Sequence, residues 1–153
     1  MTFKPPKEVD IAIKNYLSSK EKLKQLNILR SDRNLAGEYA EWILSNIEYP
    51  KLKLSTNSVQ KGFDAYDSNQ KTYQIKSRQV RTIQSNTSFD IKDINNLFDF
   101  LICVFFDKNL VVLDILIIPS EIVLHEKKDS ESKSFRFRWK KNSYEKYFKF
   151  SIL

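Results

Sequence analysis

The segment Gly62 to Arg78, GFDAYDSNQKTYQIKSR, sets one carboxylate, Asp64, ahead of an alternating row of Gln74, Lys76 and Arg78. Side chains of a strand alternate, so Gln74, Lys76 and Arg78 share one face while Tyr73, Ile75 and Ser77 share the other. If Phe63 to Asp67 pairs with Thr72 to Arg78 as an antiparallel hairpin, the turn decides whether Asp64 joins the polar row. An even loop opposes Asp64 to an odd-numbered residue such as Ile75; an odd loop opposes it to Gln74 or Lys76. A three-residue loop, Ser68-Asn69-Gln70, with Asn69 in the left-handed conformation, or a bulge, therefore gathers a carboxylate, an amide, an ammonium and a guanidinium. An ordinary hairpin whose outer face carries a chance Gln-x-Lys accounts for the same residues.

Several elements must position such a cluster. From Pro6 to about Leu29, Val9, Ile13, Tyr16, Leu17, Leu23, Leu26 and Leu29 recur at helical spacing, which predicts one long helix or two short ones. Ser31-Asp32-Arg33-Asn34 offers capping residues for a second helix, Leu35 to about Ile47. Its apolar stripe is Ala36, Ala40, Ile43 and Ile47, with Leu44 at the edge and Glu38 and Glu41 flanking it, and Tyr49-Pro50 ends it. Strands are expected at Leu52 to Leu54, Phe63 to Asp67, Thr72 to Arg78, Phe98 to Phe106 and Leu110 to Ile118. The last two are nearly continuous apolar runs around Asp107-Lys108-Asn109, the pattern of a hairpin buried on both faces. Gln84 to Ser88 reads as a polar loop, Ser120 to about His125 as a short helix, and Lys127 to Lys133 as an exposed loop. Phe135, Phe137 and Trp139 alternate with Arg136, Arg138 and Lys140, which places aromatics and cations on opposite faces of a strand. The pattern predicts one α/β domain, a mixed β-sheet flanked by helices: an N-terminal helical segment over 1–30, a core over 35–122, and a C-terminal strand and tail over 133–153.

The chain has 153 residues, 41% of them hydrophobic, enough for one core. Its formal net charge of +7 favours a polyanion as partner over an acidic small molecule. The single cysteine, Cys103, lies in an apolar run and reads as a buried core thiol. No apolar signal segment follows Met1, and the apolar runs are interrupted before they span a bilayer, which points to a reducing cytoplasm and no membrane partner.

The quoted stretch resembles the core of the PD-(D/E)XK nuclease superfamily, in which an Asp on one strand is followed on the next by an acidic residue or Gln, any residue, and Lys. Asp64, Gln74 and Lys76 match those positions. Phe63 stands where the family has Pro, and the Gln-x-Lys form is similar to that of Mrr-type restriction endonucleases. Members also carry a Glu on the helix before the first strand. In LAGEYAEWIL, Glu41, with Gly37 before it and Leu44 and Ile47 after it, fits the pattern of resolvase-like members better than Glu38. The likeness runs over about Leu35 to Ile122 and is greatest to small bacterial members of the superfamily.

The resemblance implies a restriction endonuclease-like fold with an N-terminal helical extension, and hydrolysis of DNA phosphodiester bonds, in restriction or repair. Asp64 and Glu41 would hold Mg²⁺, or Mn²⁺ in its place, with the amide oxygen of Gln74 or the carbonyl of Ile75 as a neutral ligand. Lys76 would orient a water, stabilise phosphorane charge or, with a depressed pKa, act as base. Arg78 and Arg81 would contact the nucleic-acid backbone, or else belong to a solvated loop. Cutting both strands requires two active sites, which implies a homodimer. A catalytically silent fold that binds nucleic acid and an RNA-directed nuclease toxin are the alternatives. For Arg136, Arg138 and Lys140, a charge-protected edge strand is favoured over a DNA track.

Overall fold

The computed structural model describes residues 6–31, 34–56 and 62–153, with only the backbone of Ile13. The cap expected from Asp32 and Arg33 lies outside the described residues. Among those described, the elements run α1 (Lys7–Gln25), α2 (Leu35–Asn46), β1 (Lys53–Leu54), β2 (Ala65–Tyr66), β3 (Thr72–Gln79), β4 (Thr87–Ile91), β5 (Phe100–Phe106), β6 (Val112–Pro119), α3 (Ser120–Leu124), β7 (Phe135–Trp139) and α4 (Ser143–Tyr147).

The fold is α/β around a mixed five-stranded sheet of order β1-β2-β3-β5-β6. β3 and β5 are parallel, from Tyr73 beside Phe100 to Gln79 beside Phe106, and the other neighbours are antiparallel. Alternate residues of β5 feed two cores. Ile102, Val104 and Phe106 pack with Tyr73, Ile75 and the Ala36, Ala40 and Leu44 stripe of α2. Leu101, Cys103 and Phe105 pack on the other side with Phe89, Phe137, Trp139 and Tyr147. Cover on both faces is what an uninterrupted apolar strand requires. Leu44 is fully buried, which stabilises the fold by roughly 1.5–3 kcal/mol relative to an exposed side chain.

The second face of the sheet is covered by a separate two-stranded sheet of β4 and β7 together with the short helices α3 and α4. Other expectations change. The expected polar loop 84–88 runs into β4, because Phe89 and Ile91 alternate inward and pair opposite Phe137 and Phe135. The expected tail contains α4 and a 3-10 turn over Phe148–Phe150, and Ser151 bridges back to Leu116.

α1 is one continuous helix of 19 residues. Of the apolar residues at helical spacing, Val9, Tyr16, Leu17 and Leu26 are exposed, whereas Leu29, beyond the helix end, is buried. Helical spacing specifies the helix and its apolar side, not whether another element covers that side. Among the described residues, no helix is long and apolar enough to cross a membrane.

Candidate functional site

The β2–β3 turn has the odd parity that the polar row needs. Ala65 stands opposite Tyr73 and Tyr66 opposite Thr72, so Asp64 meets Gln74. Asp67 N–H donates to the Lys71 carbonyl, leaving Ser68-Asn69-Gln70 as the loop. The left-handed residue is Gln70, at φ 61°, not Asn69. Asn69 instead donates its backbone N–H to Asp67 Oδ1 at 2.8 Å, and Lys71 N–H donates to the same oxygen at 3.0 Å. The β5–β6 turn repeats this arrangement: Asp107 Oδ1 accepts from Asn109 and Val111, and Leu110 sits at φ 61°. An Asp closing both turns explains how they form without glycine.

Asp64 lies immediately before β2, and its carboxylate continues the ladder. Oδ2 accepts the Ile75 N–H at 2.8 Å and the Gln74 side-chain amide at 2.5 Å. A strand residue sends its N–H and C=O to the same side, so the Ile75 carbonyl leaves β3 toward Asp64.

α2 delivers Glu41 to the same place. Asn34 caps the helix through Oδ1, which accepts from Ala36 N–H at 2.8 Å. The stripe Ala36, Ala40 and Leu44 is buried, whereas Asn34, Gly37 and Glu41, offset around the helix, line a cavity of about 750 Å³. Glu38 is turned away from it. Glu38, expected to flank the apolar stripe, is itself buried and accepts from Ser31 Oγ at 2.5 Å and from Arg30 N–H at 3.1 Å. Those bonds tie the chain before α2 onto the helix. Glu41 pairs with Arg30 at 2.8 Å. Burial raises the Glu41 carboxyl above its usual range, the Arg30 hydrogen bond opposes this, and the charge of Asp64 adds to the rise.

Glu41, Asp64, Gln74, Ile75, Lys76 and Arg78 all line this cavity. Lys76 is half-buried, and burial lowers its pKa; Asp64 opposes the shift while Lys92 and Arg78 reinforce it. Arg78 is partly committed to structure: Nε donates to the Ser88 carbonyl at 3.0 Å, and the guanidinium lies 5.2 Å from the centre of the Phe89 ring. Arg81 is exposed and does not line the cavity, so the structure does not bring it to the cluster.

Sequence reading missed the far wall. Asp90, Lys92 and Asp93 arrive from the end of β4, and Lys133 from the approach to β7, where it pairs with Asp93 at 3.4 Å. No spacing signal links them to Asp64; the β4–β7 pairing does. The expected cation stripe of β7 is also partly neutralised, with Arg136 on Asp90 at 3.2 Å and Arg138 on Glu131 at 3.0 Å.

Among the described residues, no group of three or more His, Cys, Asp or Glu side chains is arranged to hold a metal ion. The donors present are the two carboxylates Asp64 and Glu41, the Gln74 amide and the Ile75 carbonyl. These are hard oxygens of the kind Mg²⁺ takes together with water, and a bound dication would offset the Asp64 charge that adds to the burial-driven rise of Glu41. No family model matches the chain, and none of the curated proteins does.

Proposed function

We propose that the protein is a metal-dependent endonuclease with a restriction endonuclease-like fold, acting on DNA phosphodiester bonds in the cytoplasm. The observation that carries this reading is the meeting of Glu41 from α2, Asp64 from the start of β2 and Lys76 from β3 on one cavity. Asp64 and Glu41 would hold Mg²⁺, with Gln74 or the Ile75 carbonyl as neutral ligand. The ion when bound would polarise the phosphate and acidify a water. Lys76 orients that water and stabilises charge on the phosphorane; its depressed pKa also suits it to hold and release a proton at Nζ. Lys92 and Arg78 draw the phosphate in, and with only two carboxylates the ion would be held weakly. Cleavage of both strands would engage two copies of the chain.

One observation favours a second reading, a silent fold that binds nucleic acid. Asp64 Oδ2 already accepts two hydrogen bonds and Glu41 is paired with Arg30, so both ligands are engaged without an ion. Supercoiled plasmid incubated with Mg²⁺ or Mn²⁺ separates the two. Nicking that is lost in Asp64→Ala and in Lys76→Ala supports catalysis, and binding without cleavage under both metals supports the silent fold.

A further inference from the structure

A second cavity, of about 640 Å³, opens at the other end of the β4–β7 sheet, between Asn86-Thr87, the end of β7 and α4. The two cavities differ in charge. The Asp64 cavity is lined by four carboxylates and four cations. The second is lined by Lys128, Arg138, Lys140, Lys141 and Lys146 against the single carboxylate Glu126. Arg138 is tied to Glu131 and Lys146 to Glu126. Lys128, Lys140 and Lys141 are exposed and form no ion pair among the described residues.

We propose that this second cavity docks the sugar-phosphate backbone of a nucleic-acid strand, apart from the Asp64 cavity and in addition to it. Three ammonium groups on flexible stems act as point charges, and the one guanidinium that could grip a phosphate in a fork is already engaged. Such a surface suits a repeating polyanion held without sequence choice, not a small anion held in a fixed orientation. The register adds continuity. Ile91 opposite Phe135 stands at the Asp64 cavity and Thr87 opposite Trp139 at the lysine cavity. Four residues of strand separate them, about 14 Å at roughly 3.4 Å per residue. That is the rise of about four nucleotides of duplex, so one strand can reach from one cavity to the other. The inference goes beyond the cleavage reading, because a silent fold would use the same lysines.

The test is binding of a fluorescein-labelled 20-base-pair duplex by polarisation in EDTA, where no cleavage complicates it, across a salt titration. Lys128→Gln/Lys140→Gln/Lys141→Gln is expected to bind roughly tenfold or more weakly, with the slope of log affinity against log salt shallower by about 2.7. A control of equal charge on α1, Lys7→Gln/Lys14→Gln/Lys22→Gln, is expected to keep the wild-type slope. An unchanged slope in the first variant, or an equal loss in the control, overturns the proposal. Loss of binding to phosphatidylglycerol vesicles with duplex binding intact overturns it too, in favour of a lipid headgroup. Failure to nick plasmid overturns only the endonuclease reading, and thermal melting of the exposed-lysine variant verifies that it is folded.

Discussion

Asp64 faces Gln74 across the β2–β3 pair, and the Gln74 amide donates to Asp64 Oδ2 at 2.5 Å. Position 74 therefore holds a donor that supports the Asp64 carboxylate. Gln74→Glu sets two carboxylates face to face. The metal-free variant is expected to lose about 1–3 kcal/mol in urea unfolding, since a donor becomes a like charge. Mn²⁺ affinity measured by calorimetry should rise, and saturating Mn²⁺ should restore much of the lost stability. Unchanged affinity would show that residue 74 lies outside the ion's reach.

Removing Asp64 has a structural effect besides any chemical one. Asp64→Ala leaves the Ile75 N–H without its carboxylate partner. An unfolding free energy lower by about 1–3 kcal/mol is expected, together with loss of nicking. Asp64→Asn retains an acceptor oxygen and should recover stability without recovering cleavage, so the pair of variants separates the two roles.

Glu41 and Lys76 give opposite pH dependences. Glu41 titrates higher folded than unfolded, so between its usual range and the raised value the folded state binds more protons, and stability rises as pH falls through that window. Lys76 titrates lower folded than unfolded, so stability rises as pH climbs from its depressed value toward its usual one. Melting temperatures of metal-free Glu41→Gln and wild type should therefore converge on acidification toward pH 4.5. Lys76→Met should be more stable than wild type at neutral pH yet inactive.

Glu131 shows the reverse linkage. Its carboxyl is held down to about 2 by the Arg138 guanidinium and by the Arg136 backbone N–H, which anchors the loop before β7. That stabilisation is fully present above pH 4.5 and is lost as pH falls toward 2. Glu131→Gln should be less stable than wild type at neutral pH, with the difference shrinking across that window in acid melts.

The two glycines respond differently to alanine. At Gly62, φ is 104° and an added Cβ would lie 2.6 Å from the Asn96 carbonyl oxygen, so Gly62→Ala should destabilise by about 1–3 kcal/mol and distort the cavity wall. At Gly37 the added Cβ meets nothing within 4 Å. Gly37→Ala should stabilise α2 by about 0.5–1 kcal/mol, measurable in chemical unfolding.

Local chemistry written in the chain determines much of this molecule. The apolar runs of β5 and β6, Ala36 and Ala40 on the α2 stripe, and the alternation that sets Lys76 opposite Ile75 are all legible, because strand and helix periods act over a few residues; that Leu44, expected at the edge of the stripe, is buried while Ile43 and Ile47 are only partly so was decided by packing. Turn parity was legible only as two alternatives; Asp67, by bonding two backbone N–H groups, selects the one that brings Asp64 to Gln74. Glu38 and Glu41 are three positions apart on one helix, and only packing separates a carboxylate buried on Ser31 from one that faces a cavity. β4 is hidden for the same reason: Phe89 and Ile91 carry too little pattern to announce a strand until Phe137 and Phe135 pair with them. Asp90, Lys92, Asp93 and Lys133, and the lysine cavity at the far end of that sheet, follow from a pairing of segments more than 40 residues apart, and such contacts depend on the whole chain's burial of apolar surface.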